Sequence, residues 1–182
     1  NDGITAFYVK NGGEFVNNGR IDLSQGKGNL GALVTGAGSR AINNTSGVMN
    51  VGRTNSDDPN NIIYGIGIAA VNGAYSENRG NITVAGNNAI GMYGDGNGTV
   101  MKNSGMIYLN ADSASSSNKI QTMIGVFADN GATFINEAGG VIKSGSYSSN
   151  PNVNGLIGVA LLNGSTLINH GTIDIDASKS YG

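Results

Sequence analysis

Three observations predict that this chain is all β and folds as a parallel β-helix, a solenoid of about six coils with three short strands in each. A phrase recurs along it: Asn, one or two residues, Gly, any residue, then an aliphatic. The copies match one another position by position across the chain rather than folding back on themselves. The third observation is composition, with 31 Gly and only two Pro among 182 residues and 38% of the chain apolar. Glycine at that level without a collagen period points to repeats, and the patterned apolar runs set the chain apart from disordered sequence.

The phrase occurs at Asn17–Gly19–Ile21, Asn44–Gly47–Met49, Asn78–Gly80–Ile82, Asn103–Gly105–Ile107, Asn136–Gly139–Val141 and Asn169–Gly171–Ile173. Its glycines lie 28, 33, 25, 34 and 32 residues apart, a spacing that belongs to solenoids. Six residues before the Asn stands a second corner in most copies: Asn11-Gly12, Asn72-Gly73, Asn97-Gly98, Asn130-Gly131 and Asn163-Gly164, with Ala37-Gly38 in copy two. Glycine takes the positive φ of such corners without a Cβ clash, and Asn tolerates it next best.

Each copy then holds three strands. The first is the run GIGIAAV, IGMYG, IGVFA or IGVAL; the second EFV, ATFI or STLI; the third RIDL, NITV, MIYL or TIDI. An Asn-Gly hairpin is the rival reading. Runs of about four residues are too short for stable isolated hairpins, and a stack in which each strand pairs with its counterpart one coil on, about 4.8 Å away, explains the matching between copies. Six coils give a rod of roughly 30 Å.

The third strand supplies a buried column of Ile21, Met49, Ile82, Ile107, Val141 and Ile173. A second column reads Leu23, Val51, Val84, Leu109, Lys143 and Ile175, with Lys143 the misfit. The residues between them are mostly fit for water, which is period-two alternation with one buried face. On the second strand Glu77 and Lys102 fall on adjacent coils as an outward cross-strand pair. The stacked Asn residues predict side-chain hydrogen bonds along the rod that satisfy the turn backbone.

The charge balance excludes some functions. A formal net charge of −2, with 12% charged residues and no basic run, offers nothing to nucleic acid. No Cys is present, so there is no disulfide framework and no thiolate chemistry. A chain without Cys suits passage unfolded through an oxidising periplasm. His170, the single His, falls in a turn, so a His-based triad or zinc cluster is not expected.

The segments NGATFINEAGGVIKSG (130–145) and NGSTLINHGTIDI (163–175) resemble the passenger region of bacterial type V autotransporters. The chain is similar, too, to Gly/Asn-rich repeat adhesins of oral anaerobes. The resemblance spans essentially the whole chain and implies a right-handed β-helix displayed on the surface of a Gram-negative bacterium. It implies adhesion, aggregation or spacing, and a parent protein anchored by an outer-membrane barrel.

Residues 1–182 are accordingly expected to be a single β-helical segment, uncapped, of a larger secreted or cell-surface protein. Uncapped ends predict fraying or head-to-tail self-association.

Two regions are candidates for binding. The first is the set of long connections at residues 52–63, 110–121 and 144–154, expected to emerge side by side from one edge. They carry Asp57, Asp58 and Tyr147. Two carboxylates fall short of the six to eight oxygens of a calcium site, so no metal or other cofactor is expected. The second is the outer face of the first strand, where Gly31, Gly67, Gly91, Gly125 and Gly158 are expected to form a shallow floor beside Tyr8, Leu33, Ala69, Tyr93, Phe127 and Ala160. Stacked Tyr93 and Phe127 suit a sugar or an extended peptide.

Catalysis is not expected. Asp22 and Asp174 share a column but lie five coils apart, and Asp95 and Asp129 on adjacent coils read as turn residues. The predicted role is a non-enzymatic adhesin or aggregation segment for a host or bacterial surface glycan or protein, with a passive spacer as the alternative.

Overall fold

A computed structural model describes residues 2–182, and among them every regular element is a strand. Strands are numbered along the chain. The first sheet stacks β1 (Thr5–Val9), β4 (Leu30–Thr35), β7 (Ile66–Val71), β10 (Ile90–Asp95), β14 (Ile124–Asp129) and β18 (Ile157–Leu161). The second contains β2 (Glu14–Asn17), β5 (Arg40–Asn43), β8 (Tyr75–Asn78), β11 (Val100–Asn103), β15 (Thr133–Asn136) and β19 (Thr166–Asn169). The third contains β3 (Arg20–Leu23), β6 (Val48–Val51), β9 (Asn81–Val84), β12 (Met106–Leu109), β16 (Val141–Tyr147) and β20 (Thr172–Ala177). All pairings between named strands are parallel and join equivalent strands of successive coils, the arrangement of a right-handed parallel β-helix.

The core follows from the alternation. Met49, Ile82, Ile107 and Ile142 form a buried column from the third sheet, and Met101 and Phe134 enter from the second. Each such Ile contributes about 1.5–3 kcal/mol by leaving water. The first sheet contributes Ala32, Ile68, Met92 and Val126, with smaller residues in the next inward column. One of these is Gly94, where a Cβ would lie 2.5 Å from the Met101 methyl. At the first coil Phe7 and Phe15 stack with ring centroids 4.2 Å apart.

The Asn column is a continuous side-chain ladder. Each Nδ2 donates to the Oδ1 one coil on: Asn17 to Asn43 at 2.8 Å, Asn43 to Asn78 at 2.9 Å and Asn78 to Asn103 at 2.8 Å. It continues from Asn103 to Asn136 and from Asn136 to Asn169, each at 2.9 Å. The same Nδ2 groups reach backbone carbonyls, such as the corner Gly80 at 3.2 Å and the first strand residue of the next coil, Met106, at 3.1 Å from Asn78. In copy two the ladder residue is Asn43, not Asn44, whose Nδ2 donates to Asn18 Oδ1 at 2.8 Å on the outside.

Copy five is shifted by one residue from the expected register. Val141 pairs with Met106, Ile142 with Ile107, Lys143 with Tyr108 and Ser144 with Leu109. The buried residue is therefore Ile142 rather than Val141, and the corner glycine is Gly140 rather than Gly139. Lys143 is no misfit: it lies in the outward column between Tyr108 and Asp174. Ser144 occupies the apolar column instead, and its hydroxyl bonds to Gly145 O and Asp176 N at 2.8 Å each, just where the β16–β20 pairing bulges.

Two further expectations are corrected. In copy four the positive-φ residues are Gly96 and Gly98, so Asn97-Gly98 is not the corner that Asn72-Gly73 and Asn130-Gly131 form. Glu77 and Lys102 do register on adjacent strands, but Glu77 is not in open solvent and does not bond Lys102. Its carboxylate accepts from Arg79 Nε and Nη2 at 2.8 Å each and from the Tyr75 hydroxyl at 3.0 Å. Burial opposes the Glu77 charge, yet these donors and the nearby cations hold its carboxyl below the usual range. Lys102 turns to Glu137 at 3.4 Å.

The long connections do gather at one edge. Two of them pair through β13 (Ile120–Gln121) and β17 (Val153–Asn154) and bury Ala111, Ile120, Met123, Tyr147, Val153 and Leu156 as an extension of the core. Residues 178–182 continue the stack: Tyr181 bridges Ile157 in parallel, and Gly158 N donates to Tyr181 O at 2.8 Å.

Candidate functional site: an aliphatic and aromatic groove on the first sheet

The outer face of the first sheet is built differently from the sequence expectation. The glycine column faces the core: a Cβ on Gly91 would lie 2.6 Å from Gly125 O and 3.0 Å from Ile107 Cγ2. Only glycine fits there, because neighbouring coils approach through backbone at that point. The strand bends at the glycine, so that the glycine and the residue after it both turn inward. The residue before it is thereby turned outward. Leu30, Ile66, Ile90, Ile124 and Ile157 stand in register as an aliphatic column on the outer side of the sheet, where Ile66, Ile90 and Ile124 are buried by their neighbours.

Alongside runs the column of Leu33, Ala69, Tyr93, Phe127 and Ala160, and the two together form an apolar cluster separate from the core. Tyr93 and Phe127 stack on successive coils with centroids 5.7 Å apart and planes inclined by 28°. This outward stack is the one expected from sequence, but its floor is isoleucine and not glycine.

The connection at residues 52–63 rises beside this face as a wall. Asn55 and Ile63 exchange backbone hydrogen bonds at 2.8 and 3.0 Å, and Thr54 Oγ1 donates to Asn88 O at 2.7 Å and accepts from Gly65 N at 3.1 Å. Ile62 and Tyr64 remain 46% and 49% exposed although they are large and apolar. Between this wall and the sheet lies a groove of about 630 Å³, lined chiefly by Ile62, Tyr64, Ile90, Ile124, Tyr93 and Phe127, with Asp129 at its lip.

The opposite lip is a polar staircase. Asp95 and Asp129 register on adjacent coils. Asp95 Oδ1 accepts from Asn130 Nδ2 at 2.6 Å, and Asp129 Oδ1 accepts from Asn163 Nδ2 at 2.7 Å and Asn130 N at 2.8 Å. Among the described residues no Lys or Arg lines the groove. Burial pushes the Tyr93 phenol above its ordinary value, and the Asp95 and Asp129 charges add to it.

The remaining expected residues lie elsewhere. Tyr8 is exposed on the first coil, three strands from Tyr93 along the sheet, with Lys10 Nζ 5.4 Å from its ring centre. Asp57 is ion-paired with Lys27, which holds its carboxyl below the usual range. Asp58 Oδ1 accepts from Asn60 N at 2.9 Å within its own turn. Tyr147, expected in an exposed loop, is 6% exposed. Its hydroxyl accepts from Ala111 N at 2.9 Å and donates to Asp112 Oδ1 at 2.8 Å, because β16 runs on through a bulge and tucks the ring under the core extension.

Ile66, Ile90 and Ile124, with Ile62 and Tyr64, are the groove residues that sequence reasoning missed. The available signal was the repeated Ile-Gly pair, apolar on both sides of a glycine that alternation alone would have placed outside. A second hollow of about 330 Å³ lies under the connections, lined by polar groups including Ser24, Lys27, Arg53 and Asn87. Among the described residues no group of three or more His, Cys, Asp or Glu side chains is placed to hold a metal ion.

Residues 47–140 match the family model described as BigA third pectate lyase-like domain. The matched stretch runs from the corner before β6 to the corner before β16 and contains every groove residue named above. No curated protein and no solved structure matches the chain.

Proposed function

The chain belongs to the BigA third pectate lyase-like domain family, and from that premise we propose that it is a non-enzymatic, ligand-binding segment of a bacterial surface protein. The groove beside Tyr93 and Phe127 is its contact site. That this is a family of bacterial surface-protein domains supports placement at the cell surface. The passenger reading, with a Gram-negative parent anchored by an outer-membrane barrel, rests on the resemblance of the repeats. Adhesion to a host or bacterial surface is the role proposed.

The observation that carries this reading is the apolar groove, in which Tyr93 and Phe127 are partly exposed above a buried isoleucine row. A rod whose outer strands were only structural would be expected to show water a polar surface, and a contiguous apolar patch on a rigid sheet marks a binding site. Here a loop is pinned beside that patch by Thr54 and leaves Ile62 and Tyr64 in solvent. The words pectate lyase-like describe architecture, and architecture does not carry chemistry with it. In the groove the acidic groups are Asp129 at the lip and Asp95 beside it, both accepting from Asn amides. No base near neutrality accompanies them there, as proton abstraction would require.

The test is adhesion to epithelial and bacterial cells, together with a glycan array, comparing the chain with its Tyr93→Ala/Phe127→Ala variant. Binding that falls about tenfold or more in the variant is expected, since two large aromatic faces are lost. Uniformly absent binding by the unaltered chain establishes the spacer reading instead. Unsaturated or reducing sugar released from polygalacturonate would establish an enzyme.

A further inference from the structure

The groove's floor and its lip have different chemistries, and together they select an occupant. The floor is the aliphatic row of Ile66, Ile90 and Ile124, while Ser56, Asn88 and Thr122 add polar groups to the lining. A sugar lying on that aliphatic row would turn hydroxyls toward side chains that cannot bond them, at a cost that disfavours it against an apolar side chain. The strands beneath, β7, β10 and β14, are each paired on both sides, so no sheet edge is open for an added strand. Recognition must therefore run through side chains. Three Ile in register span about 10 Å at the spacing of parallel strands, the length of roughly three extended residues.

The lip carries the charge. Asp95 and Asp129 stand on adjacent coils, and the hydrogen bonds that hold them both use Oδ1. Their charge is felt inside the groove, since it helps to keep the Tyr93 phenol protonated. Beside them are the faces of Tyr93 and Phe127, surfaces that attract a cation with an apolar stem. Among the described residues no cation lines the groove to neutralise them.

We propose that the groove takes a short extended segment of a partner protein in which an apolar side chain is flanked by lysine or arginine. The apolar group lies on Ile90 and Ile124, and the cation crosses Tyr93 and Phe127 to Asp129 and Asp95. This rests on the groove being the contact site, and it names the class of partner.

The test titrates the isotope-labelled chain by NMR with four probes. Three are end-blocked peptides, Gly-Lys-Leu-Arg-Gly, Gly-Ser-Leu-Ser-Gly and Gly-Glu-Leu-Glu-Gly; the fourth is cellohexaose. The cationic peptide is expected to shift Tyr93, Phe127, Ile90 and Ile124 and to bind about tenfold tighter than the serine peptide at low salt. That preference should shrink as salt is raised. In Asp95→Asn/Asp129→Asn, which keeps both Oδ1 acceptors and hence the staircase, it should fall to the serine level.

Equal binding of the serine and cationic peptides in the groove overturns the cation requirement and leaves the groove reading intact. Groove shifts from cellohexaose alone overturn the protein class and again leave the groove. If no probe moves these resonances, the proposal fails. The groove reading falls with it only if cell adhesion is unchanged by Tyr93→Ala/Phe127→Ala.

Discussion

The side-chain amide of Asn78 donates to Oδ1 of Asn103 across one coil at 2.8 Å, and both residues are wholly buried. The bond is one step of a ladder that crosses all six coils, and the same nitrogen holds the backbone carbonyls of Gly80 and Met106. A buried amide keeps its place only while its donors and acceptors are matched.

Asn78→Ala should therefore be costly. It leaves Asn43 Nδ2 and Asn103 Oδ1 each short of a partner inside the rod, at about 1–3 kcal/mol per group. Asn169→Ala, at the exposed end of the ladder, should cost clearly less. Urea denaturation of both variants measures the difference; equal losses would show that the ladder is ornamental.

The register of copy five can be read by substitution. Ile142→Asp places a charge in the core beside Ile107 and Ile173 and should unfold the surrounding coils. Lys143→Ser, on the outward column, should change stability by less than about 0.5 kcal/mol. The reverse ranking in thermal melts would restore the sequence-based register.

Tyr147→Phe separates structure from binding. Removing the hydroxyl leaves the buried Ala111 N–H without its acceptor and should cost about 1–3 kcal/mol. Adhesion measured below the melting temperature should be unchanged. Loss of adhesion in a variant of native stability would return Tyr147 to the binding surface.

Alkaline pH should destabilise the rod. Burial, then Glu77, pushes the Tyr75 phenol up to about 12, and Tyr93 and Tyr147 are raised as well, each chiefly by burial. In each case the native state holds its proton more tightly than the unfolded chain. The stability this confers is whole below pH 10, the ordinary tyrosine value, and declines as pH rises toward 12. Tyrosinate absorbance followed with circular dichroism should show these three ionising late and together with loss of β structure. Full ionisation near pH 10 with the fold intact would contradict the burial of all three.

The coil, its three strands, the edge loops and the Asn ladder were legible in the sequence because each depends on periodicity. Corners that need positive φ select Asn and Gly, and a half-buried strand alternates, so both leave columns in aligned repeats. Adjacent candidates were less legible. Asn44 and Gly139 fit the spacing of the phrase, yet the structure uses their neighbours Asn43 and Gly140, which put three residues between Asn and Gly, and the choice is made by which residue the neighbouring coil can pair. Tyr147 fell in a loop by pattern, and a bulge in β16 carried it inside. The Tyr93–Phe127 stack was found because two aromatics share one column. Its Ile floor was not, because alternation assumes a straight strand. The strand bends at Gly91, where the approach of Gly125 O leaves no room for a Cβ, and that approach exists only once the coils are stacked.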